Sequence, residues 1–251
     1  MSYTDFAQYY DALTQNAGYE ERAEYLCALL RRYHHPWGET LDLACGTGSL
    51  TLEFKKRGID IYGVDGSTEM LAQAQAKAAQ AGEQILFLHQ QMQKLDLYGC
   101  ADTVFCTLDS LNHLLTQRDL FAAFERVSLF LSPDGLFVFD MNTPYKHREV
   151  LGNNTFVYDT DAVYCVWQNR YLPAGHRVDI TLDFFSRTGK LYQRSGEHFF
   201  ERAYEDAHVR RLLQQAGLEV VGFFAEQSFQ RPVADTQRVV YVARKFSERK
   251  S

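Results

Sequence analysis

The sequence predicts an α/β fold: a doubly wound, mostly parallel sheet of seven strands with an antiparallel meander inserted after the fifth strand. Short apolar segments alternate with helical segments through the first 140 residues, which implies parallel strands joined by right-handed crossovers. From about residue 153 the pattern changes to an alternation with a period of two, which is typical of antiparallel strands. The chain has 251 residues, 46% of them hydrophobic, and can bury one substantial core.

The first part of the chain predicts five strands and the helices between them. Helical, aromatic-rich sequence runs from about Tyr3 to Tyr33. Ser67 is a plausible N-cap, and Gly58 and Gly82 each follow a predicted helix as left-handed C-caps commonly do. A turn at 132–135 leads into the fifth strand. We predict strands at 40–44, 59–64, 85–89, 102–107 and 135–140, helices at 49–57, 67–81 and 117–131, and a helical turn near 92–97.

The second part predicts the meander and the end of the α/β domain. Turn signals at 173–175 and 187–190 separate the alternating segments. We predict meander strands at 156–158, 162–167, 176–185 and 191–200, a helix at 205–215, and closing strands at 218–225 and 238–244. The predicted domains are therefore an α/β domain of residues 1–150 and 204–246, and an inserted lid or substrate subdomain of residues 151–203.

Composition excludes several classes of protein. The net charge is −6 and the pI about 5.8, whereas general nucleic-acid binders carry a basic surface. The five cysteines form no CxxC pair and no metal-ligand spacing, so we expect no metal site, reduced thiols and a cytoplasmic location. The N-terminus does not resemble a signal peptide, and no apolar run is long enough to span a membrane.

The run T-L-D-L-A-C-G-T-G-S-L-T at 40–51 predicts a nucleoside-binding turn between a strand and a helix. Gly46 and Gly48 allow a ligand to approach the backbone, and Asp65, at the end of the next strand, can accept hydrogen bonds from ribose hydroxyls. The third glycine of a dinucleotide fingerprint is missing. Asp42 lies four residues before Gly46, where a carboxylate repels a pyrophosphate but attracts an ammonium group. The pattern favours S-adenosylmethionine over NAD, although both aspartates have a competing interpretation as cap or turn residues.

These motifs resemble those of the class I S-adenosylmethionine-dependent methyltransferases that act on small molecules. The resemblance covers most of residues 1–145 and the last two strands, and it implies a Rossmann-like fold with S-adenosylmethionine as the cofactor. The segments similar to the family's four motifs are 41–48, 64–67, 91–97 and 106–114, and 3–13 resembles its aromatic N-terminal cover.

The resemblance also implies roles for single residues. Gln91 stands where the family often has an acidic residue that accepts a hydrogen bond from the adenine amino group, and an amide oxygen can accept the same bond. From the residues themselves, Asp109 either caps the next helical turn or faces the substrate, and His198 in the meander is the candidate general base. The predicted cofactor-binding residues are Tyr10, Tyr19, Asp42, Ala44, Gly46, Gly48, Asp65, Gly66, Gln91, Met92 and Asp109, and the predicted catalytic residues are Asp109 and His198.

We therefore expect methyl transfer from S-adenosylmethionine to an unidentified small molecule. The reaction is an in-line displacement at the sulfonium carbon, in which the protein mainly aligns the reactants and excludes water. The acidic charge balance and the inserted lid favour a small-molecule acceptor over a nucleic acid. Two alternatives stay open: an RNA methyltransferase whose basic patch forms only in three dimensions, and a non-catalytic protein that binds S-adenosylmethionine. The sequence does not identify the acceptor atom or the oligomeric state.

Overall fold

The computed structural model describes residues 6–14, 17–161 and 163–245, and it confirms the predicted α/β fold. All predicted strands and helices that lie within these residues are present, with ends that differ by a few residues. The strands are β1 Thr40–Leu43, β2 Ile61–Asp65, β3 Phe87–His89, β4 Ala101–Cys106, β5 Leu131–Asn142, β6 Thr155–Asp159, β7 Val163–Leu172, β8 Arg177–Thr188, β9 Leu191–Arg202, β10 Leu218–Ala225 and β11 Arg238–Lys245. The helices are α1 Phe6–Leu13, α2 Tyr19–Arg32, α3 Ser49–Lys56, α4 Thr68–Gln80, α5 Gln117–Phe130 and α6 Asp206–Gln215.

Seven strands form the main sheet in the order β10-β11-β5-β4-β1-β2-β3. Neighbouring strands from β3 to β5 pair in parallel, whereas β11 is antiparallel to both β5 and β10. Helices α5 and α6 pack an apolar cluster against one face, and α2 and α3 pack a second cluster against the other. The carboxyl ends of β1, β2 and β4 therefore meet at one edge, where ligands bind in open α/β sheets.

The structure corrects two predicted boundaries. The fifth strand begins at Leu131 rather than at residue 135, and the predicted turn at 132–135 is an irregularity within it: Leu131 pairs with Ala101, Leu136 pairs with Thr103, and Asp134 between them has a φ of +62°. Within the described residues, the single helical segment predicted from Tyr3 to Tyr33 is two helices: α1 ends at Leu13, and α2 begins after Gly18, whose φ is +58°. The predicted start of this segment, residues 3–5, lies outside the described residues, and so does Ala162 of the predicted second meander strand.

The predicted meander is a separate antiparallel sheet with the strand order β6-β7-β8-β9. A π-helical segment, Lys146–Leu151, connects β5 to it. The inner face of this outer sheet is apolar and packs against α1 in a shared cluster that includes Leu13 and Phe184. Helix α1 therefore lies between the outer sheet and the ligand-binding edge of the main sheet. The division into two domains at residues 150 and 204 stays a prediction. Among the described residues, no helix is long and apolar enough to cross a membrane.

Candidate active site

Two adjoining cavities lie at the carboxyl ends of the parallel strands. The larger has a volume of about 220 Å³ and the smaller about 30 Å³. Tyr10, Ala44, Gly46, Leu108 and Ser110 line both cavities and mark their junction. Nine of the eleven predicted cofactor-binding residues line one or both: Tyr10, Tyr19, Asp42, Ala44, Gly46, Asp65, Gly66, Gln91 and Met92.

The glycine turn after β1 has an unusual backbone. Ala44, Gly46 and Gly48 all have positive φ angles, of +59°, +55° and +70°. A Cβ atom on Gly46 would meet no atom within 4 Å, so this glycine opens onto the cavity. A Cβ atom on Gly48 would lie 2.9 Å from the Cβ of Ala74, so this glycine lets α3 and α4 pack closely. Gly48 therefore shapes the turn and does not line either cavity.

Asp65 connects the two loops that carry the turn residues. Its Oδ2 accepts the backbone N–H of Gly46 at 2.8 Å, and its Oδ1 accepts the backbone N–H of Ser67 at 2.8 Å. A carboxylate offers about four lone-pair positions, so both oxygens can accept further bonds from a ligand in the larger cavity. Burial raises the pKa of Asp65, and the two backbone bonds oppose that rise. Asp65 can therefore act both as a turn residue, through its two backbone hydrogen bonds, and as a ligand for ribose hydroxyls.

Asp42 lies at the back of the smaller cavity and is only 2% exposed. Its Oδ2 accepts the hydroxyl of Thr51 in α3 at 2.6 Å. Burial raises the pKa of Asp42 to about 7, with the Thr51 hydroxyl acting in the opposite direction. A buried carboxylate of this kind gains strongly from a cationic partner. The smaller cavity therefore suits the ammonium group of an amino acid.

The sequence prediction missed Asp11, which fixes helix α1 to the glycine turn. Its Oδ1 accepts the hydroxyls of Thr47 at 2.8 Å and Ser49 at 2.9 Å. Its Oδ2 pairs with the ammonium group of Lys77 in α4 at 2.5 Å. The neighbouring Tyr10 lines both cavities. These contacts hold α1 as a cover over the site, and no motif in the sequence connected Asp11 to residues 36 or more positions away.

The loop after β4 is the other wall of the site. Leu108 and Asp109 both have positive φ angles, +57° and +54°, which are strained for residues other than glycine. Their backbone N–H groups donate to the two carboxylate oxygens of Asp140, at 2.9 and 2.7 Å. Asp140 also pairs with Arg22 and Arg238, so the strained loop rests on a buried ion network. Strain maintained by such a network is common at functional sites.

Asp109 itself lines neither cavity but follows Leu108, which lines both. Its Oδ1 accepts Arg238 and its Oδ2 accepts the amide of Asn142, each at 2.8 Å. Burial opposes ionisation, but the charges of Arg238 and Lys146 outweigh it and hold the pKa of Asp109 well below its usual value. Asp109 is therefore an ionised carboxylate and a very weak base. Its role as a cofactor contact stays a prediction, since it lines neither cavity.

His198 lies away from both cavities. Successive residues of a strand point to opposite faces, and in β9 it is Phe199 whose ring contacts His113 at the larger cavity, with centroids 5.4 Å apart. The His198 side chain is 55% exposed and bonds to Asp179 Oδ1 at 2.6 Å. The position of His198 therefore does not support a role as the general base. His113 and Ser110 line the larger cavity instead, and the prediction did not select them.

Three comparisons with known proteins agree with this geometry. A family model described as a methyltransferase domain matches residues 40–135. A Geobacillus protein provisionally named a methyltransferase is 34% identical over 98% of this chain and 100% of its own length. A glycine/sarcosine N-methyltransferase of Parasynechococcus marenigrum is 28% identical over 96% of this chain and 83% of its own.

A solved structure has the same architecture. The S-adenosylmethionine-dependent methyltransferase from Clostridium acetobutylicum is 31% identical to this chain. The two superpose with a TM-score of 0.88, over 98% of this chain and 99% of that one. The chain therefore belongs to the class I S-adenosylmethionine-dependent methyltransferases.

Proposed function

We propose that this enzyme transfers the methyl group of S-adenosylmethionine to the nitrogen of a small-molecule amine. The observation that carries the proposal is Asp109, an ionised carboxylate directly after Leu108 at the junction of the two cavities. Its role depends on where the cofactor lies and on how charge moves during the reaction.

The lining residues support one orientation of the cofactor. The larger cavity takes the adenosine, with Asp65 at the ribose hydroxyls and Gln91 and Met92 at the adenine. The smaller cavity takes the methionine part, with Asp42 at its ammonium group. The sulfonium then lies at the junction of the cavities, close to Leu108 and Ser110, and its methyl group faces the Asp109 side of the loop.

The charge of Asp109 favours an amine over a hydroxyl acceptor. In transfer to an amine, the nitrogen lone pair forms the new N–C bond as the C–S bond breaks, and the electron pair of that bond stays on sulfur. The positive charge thus moves from sulfur to nitrogen, where a fixed carboxylate stabilises it. A hydroxyl acceptor would instead need a base, and Asp109, with its lowered pKa, is too weak a base for that role.

The enclosure of the site supports a small acceptor. Helix α1 covers the cavities, and Tyr9 packs on Phe184 of the outer sheet with ring centroids 5.7 Å apart. A folded RNA would need an open, basic approach to the methyl group. The similarity to a glycine/sarcosine N-methyltransferase supports the same class of acceptor. We also propose a cytoplasmic location, which the five unpaired cysteines support.

The test is release of S-adenosylhomocysteine from S-adenosylmethionine in the presence of amines, phenols, carboxylates and RNA, each supplied separately. We expect turnover with amines, and loss of cofactor binding in the Asp65→Ala variant. Turnover with RNA or phenols but not amines would contradict the proposal. Cofactor binding with no turnover in any class would instead favour the binding-protein alternative.

A further inference from the structure

A group of buried charges lies beyond the methyl-transfer position, at the carboxyl end of β5 and the start of β11. Two of its cations have carboxylate partners. Arg22 pairs with Asp140 and Glu226, at 3.2 and 2.6 Å. Arg238 pairs with Asp109, Asp140 and Glu226, at 2.8, 2.9 and 3.3 Å. These five ion pairs account for the charge of both arginines.

Lys146 is the third cation, and its environment differs. The one hydrogen bond that its half-buried ammonium group makes to the described residues goes to the amide oxygen of Asn142, at 2.9 Å. An ammonium group has three hydrogen-bond donors. Among the residues that the structure describes, no carboxylate lies within ion-pair distance of the Lys146 ammonium group. Lys146 also begins the π-helical segment Lys146–Leu151. π-helical segments are rare in proteins, and those that do occur are often found at functional sites.

Asn142 connects Lys146 to Asp109. Its amide oxygen accepts Lys146 Nζ at 2.9 Å, and its amide nitrogen donates to Asp109 Oδ2 at 2.8 Å. Because one planar amide joins the two groups, the Lys146 nitrogen and the Asp109 oxygen lie no more than about 8 Å apart. The structure thus places an anion and a cation within about 8 Å of each other beside the loop that carries Leu108.

An α-amino acid is long enough to bridge that separation. Its nitrogen and its carboxylate oxygens are about 3 Å apart, because only the Cα and carboxyl carbons lie between them. A hydrogen bond at each end adds about 2.9 Å. An α-amino acid that bonds Asp109 through its amine and Lys146 through its carboxylate therefore spans up to about 9 Å, which covers the distance between the two side chains.

We infer that the methyl acceptor is a small α-amino acid whose carboxylate is bound by Lys146 and whose amine lies at Asp109. The inference rests on the proposed function and adds the chemical class of the amine. Lys146 is a specificity-determining residue in this account, because it selects amines that carry a carboxylate. Asn142 holds the two side chains at the required separation.

The test compares each α-amino acid with its own amide. Glycine, sarcosine, alanine and serine are each assayed against glycinamide, sarcosinamide, alaninamide and serinamide, with S-adenosylhomocysteine release as the readout. The amide has the larger fraction of free amine at a given pH, so a preference for the amino acid reports recognition of the carboxylate. We expect at least one amino acid to be methylated, with a kcat/KM more than about 10-fold above that of its amide.

The Lys146→Met variant retains the apolar stem and removes the charge, and the exposed Lys190→Met is the matched control. We expect Lys146→Met to raise the KM of the preferred amino acid roughly 10- to 100-fold. The ratio of kcat/KM for the amino acid to kcat/KM for its amide is expected to fall at least about 10-fold, because any effect of the lost charge on Asp109 is common to both substrates. The dissociation constant for S-adenosylmethionine is expected to stay within about threefold of the parent. Lys190→Met is expected to match the parent in all three measurements.

Different results would contradict the proposed N-methyltransferase function and the proposed role of Lys146. If amines without a carboxylate are methylated and the amino acids are not, or if Lys146→Met changes amino acid and amide equally, the role of Lys146 is overturned and the proposed function stands. If no amine of either kind is methylated by a protein that binds S-adenosylmethionine, both proposals fall.

Discussion

Replacing Asp42 by asparagine is expected to weaken cofactor binding and, at the same time, to stabilise the cofactor-free protein. The Asp42 carboxyl is 2% exposed, and burial raises its pKa from the usual 3.8 to about 7. Ionising this group inside the protein is unfavourable until a cation lies beside it. In the account developed above, the ammonium group of S-adenosylmethionine is that cation.

The stability effect has a definite sign. Because the folded pKa of Asp42 is above the unfolded one, its contribution is complete below about pH 3.8 and is lost as the pH rises through about 7. At pH 8 the ionised group destabilises the cofactor-free protein by up to about 4 kcal/mol. Asparagine does not ionise, and an unpaired amide N–H would reduce the gain by about 1–3 kcal/mol. The Asp42→Asn variant is therefore expected to gain between about 1 and 4 kcal/mol in unfolding free energy at pH 8.

The binding effect follows from the same pKa. Only the ionised carboxylate attracts the ammonium group, so the affinity for S-adenosylmethionine is expected to be about 25-fold lower at pH 5.5 than at pH 7.5. That ratio corresponds to about 2 kcal/mol of binding free energy. Titration calorimetry at both pH values measures it. The control ligand is 5′-methylthioadenosine, which lacks the amino acid part and is expected to bind equally well at both.

Asp42→Asn is expected to bind S-adenosylmethionine more weakly at pH 7.5 and with an affinity that no longer depends on pH in this range. Two results would refute the reasoning. One is a parent protein whose affinity for S-adenosylmethionine is the same at pH 5.5 and 7.5. The other is an Asp42→Asn variant that is less stable than the parent at pH 8 in the absence of cofactor.

Three further predictions test the turn, the cover and the acceptor side. Gly48→Ala is expected to lose at least about 1 kcal/mol more unfolding free energy than Gly82→Ala in chemical denaturation. Both glycines have a φ near +70°, but only Gly48 is tightly packed. Equal losses in the two variants would show that packing at Gly48 is unimportant. Asp11→Asn is expected to raise the dissociation rate of S-adenosylmethionine about 10-fold in stopped-flow measurements, because it removes the charged hydrogen bonds that hold α1. The control variant Glu53→Gln is expected to release the cofactor at the parent rate. If both variants release the cofactor at the parent rate, the cover does not depend on Asp11. Asp109→Asn is expected to lower kcat for an amine acceptor about 100-fold and leave the dissociation constant of the cofactor within about threefold. A parallel loss of binding and turnover would place Asp109 among the cofactor contacts instead.

The sequence predicted the cofactor side of the site well because its signals are local. The strand, the two-glycine turn and the start of the following helix lie within a dozen residues, and Asp65 follows at a spacing that a crossover helix fixes. Asp42 and Asp65 therefore came together as expected, one at each cavity.

The surroundings of Asp109 could not be predicted, because its partners reach it only through long-range folding. Arg238 pairs with Asp109 across 129 residues, and the amide of Asn142 joins Lys146 to Asp109. The face that a meander residue occupies depends on strand register, and a shift of one residue reverses it. That is why His198 was selected although the structure turns it outward.

The account's central claim is that the two cavities hold S-adenosylmethionine with its ribose at Asp65 and its ammonium group at Asp42. A crystal structure of the complex with S-adenosylhomocysteine measures this directly. We expect both ribose hydroxyls within hydrogen-bond distance of Asp65 and the ammonium group within 4 Å of Asp42. We also expect the sulfur at the junction of the cavities, beside Leu108. An adenosine bound outside the larger cavity, or a methionine part directed away from Asp42, would contradict the account.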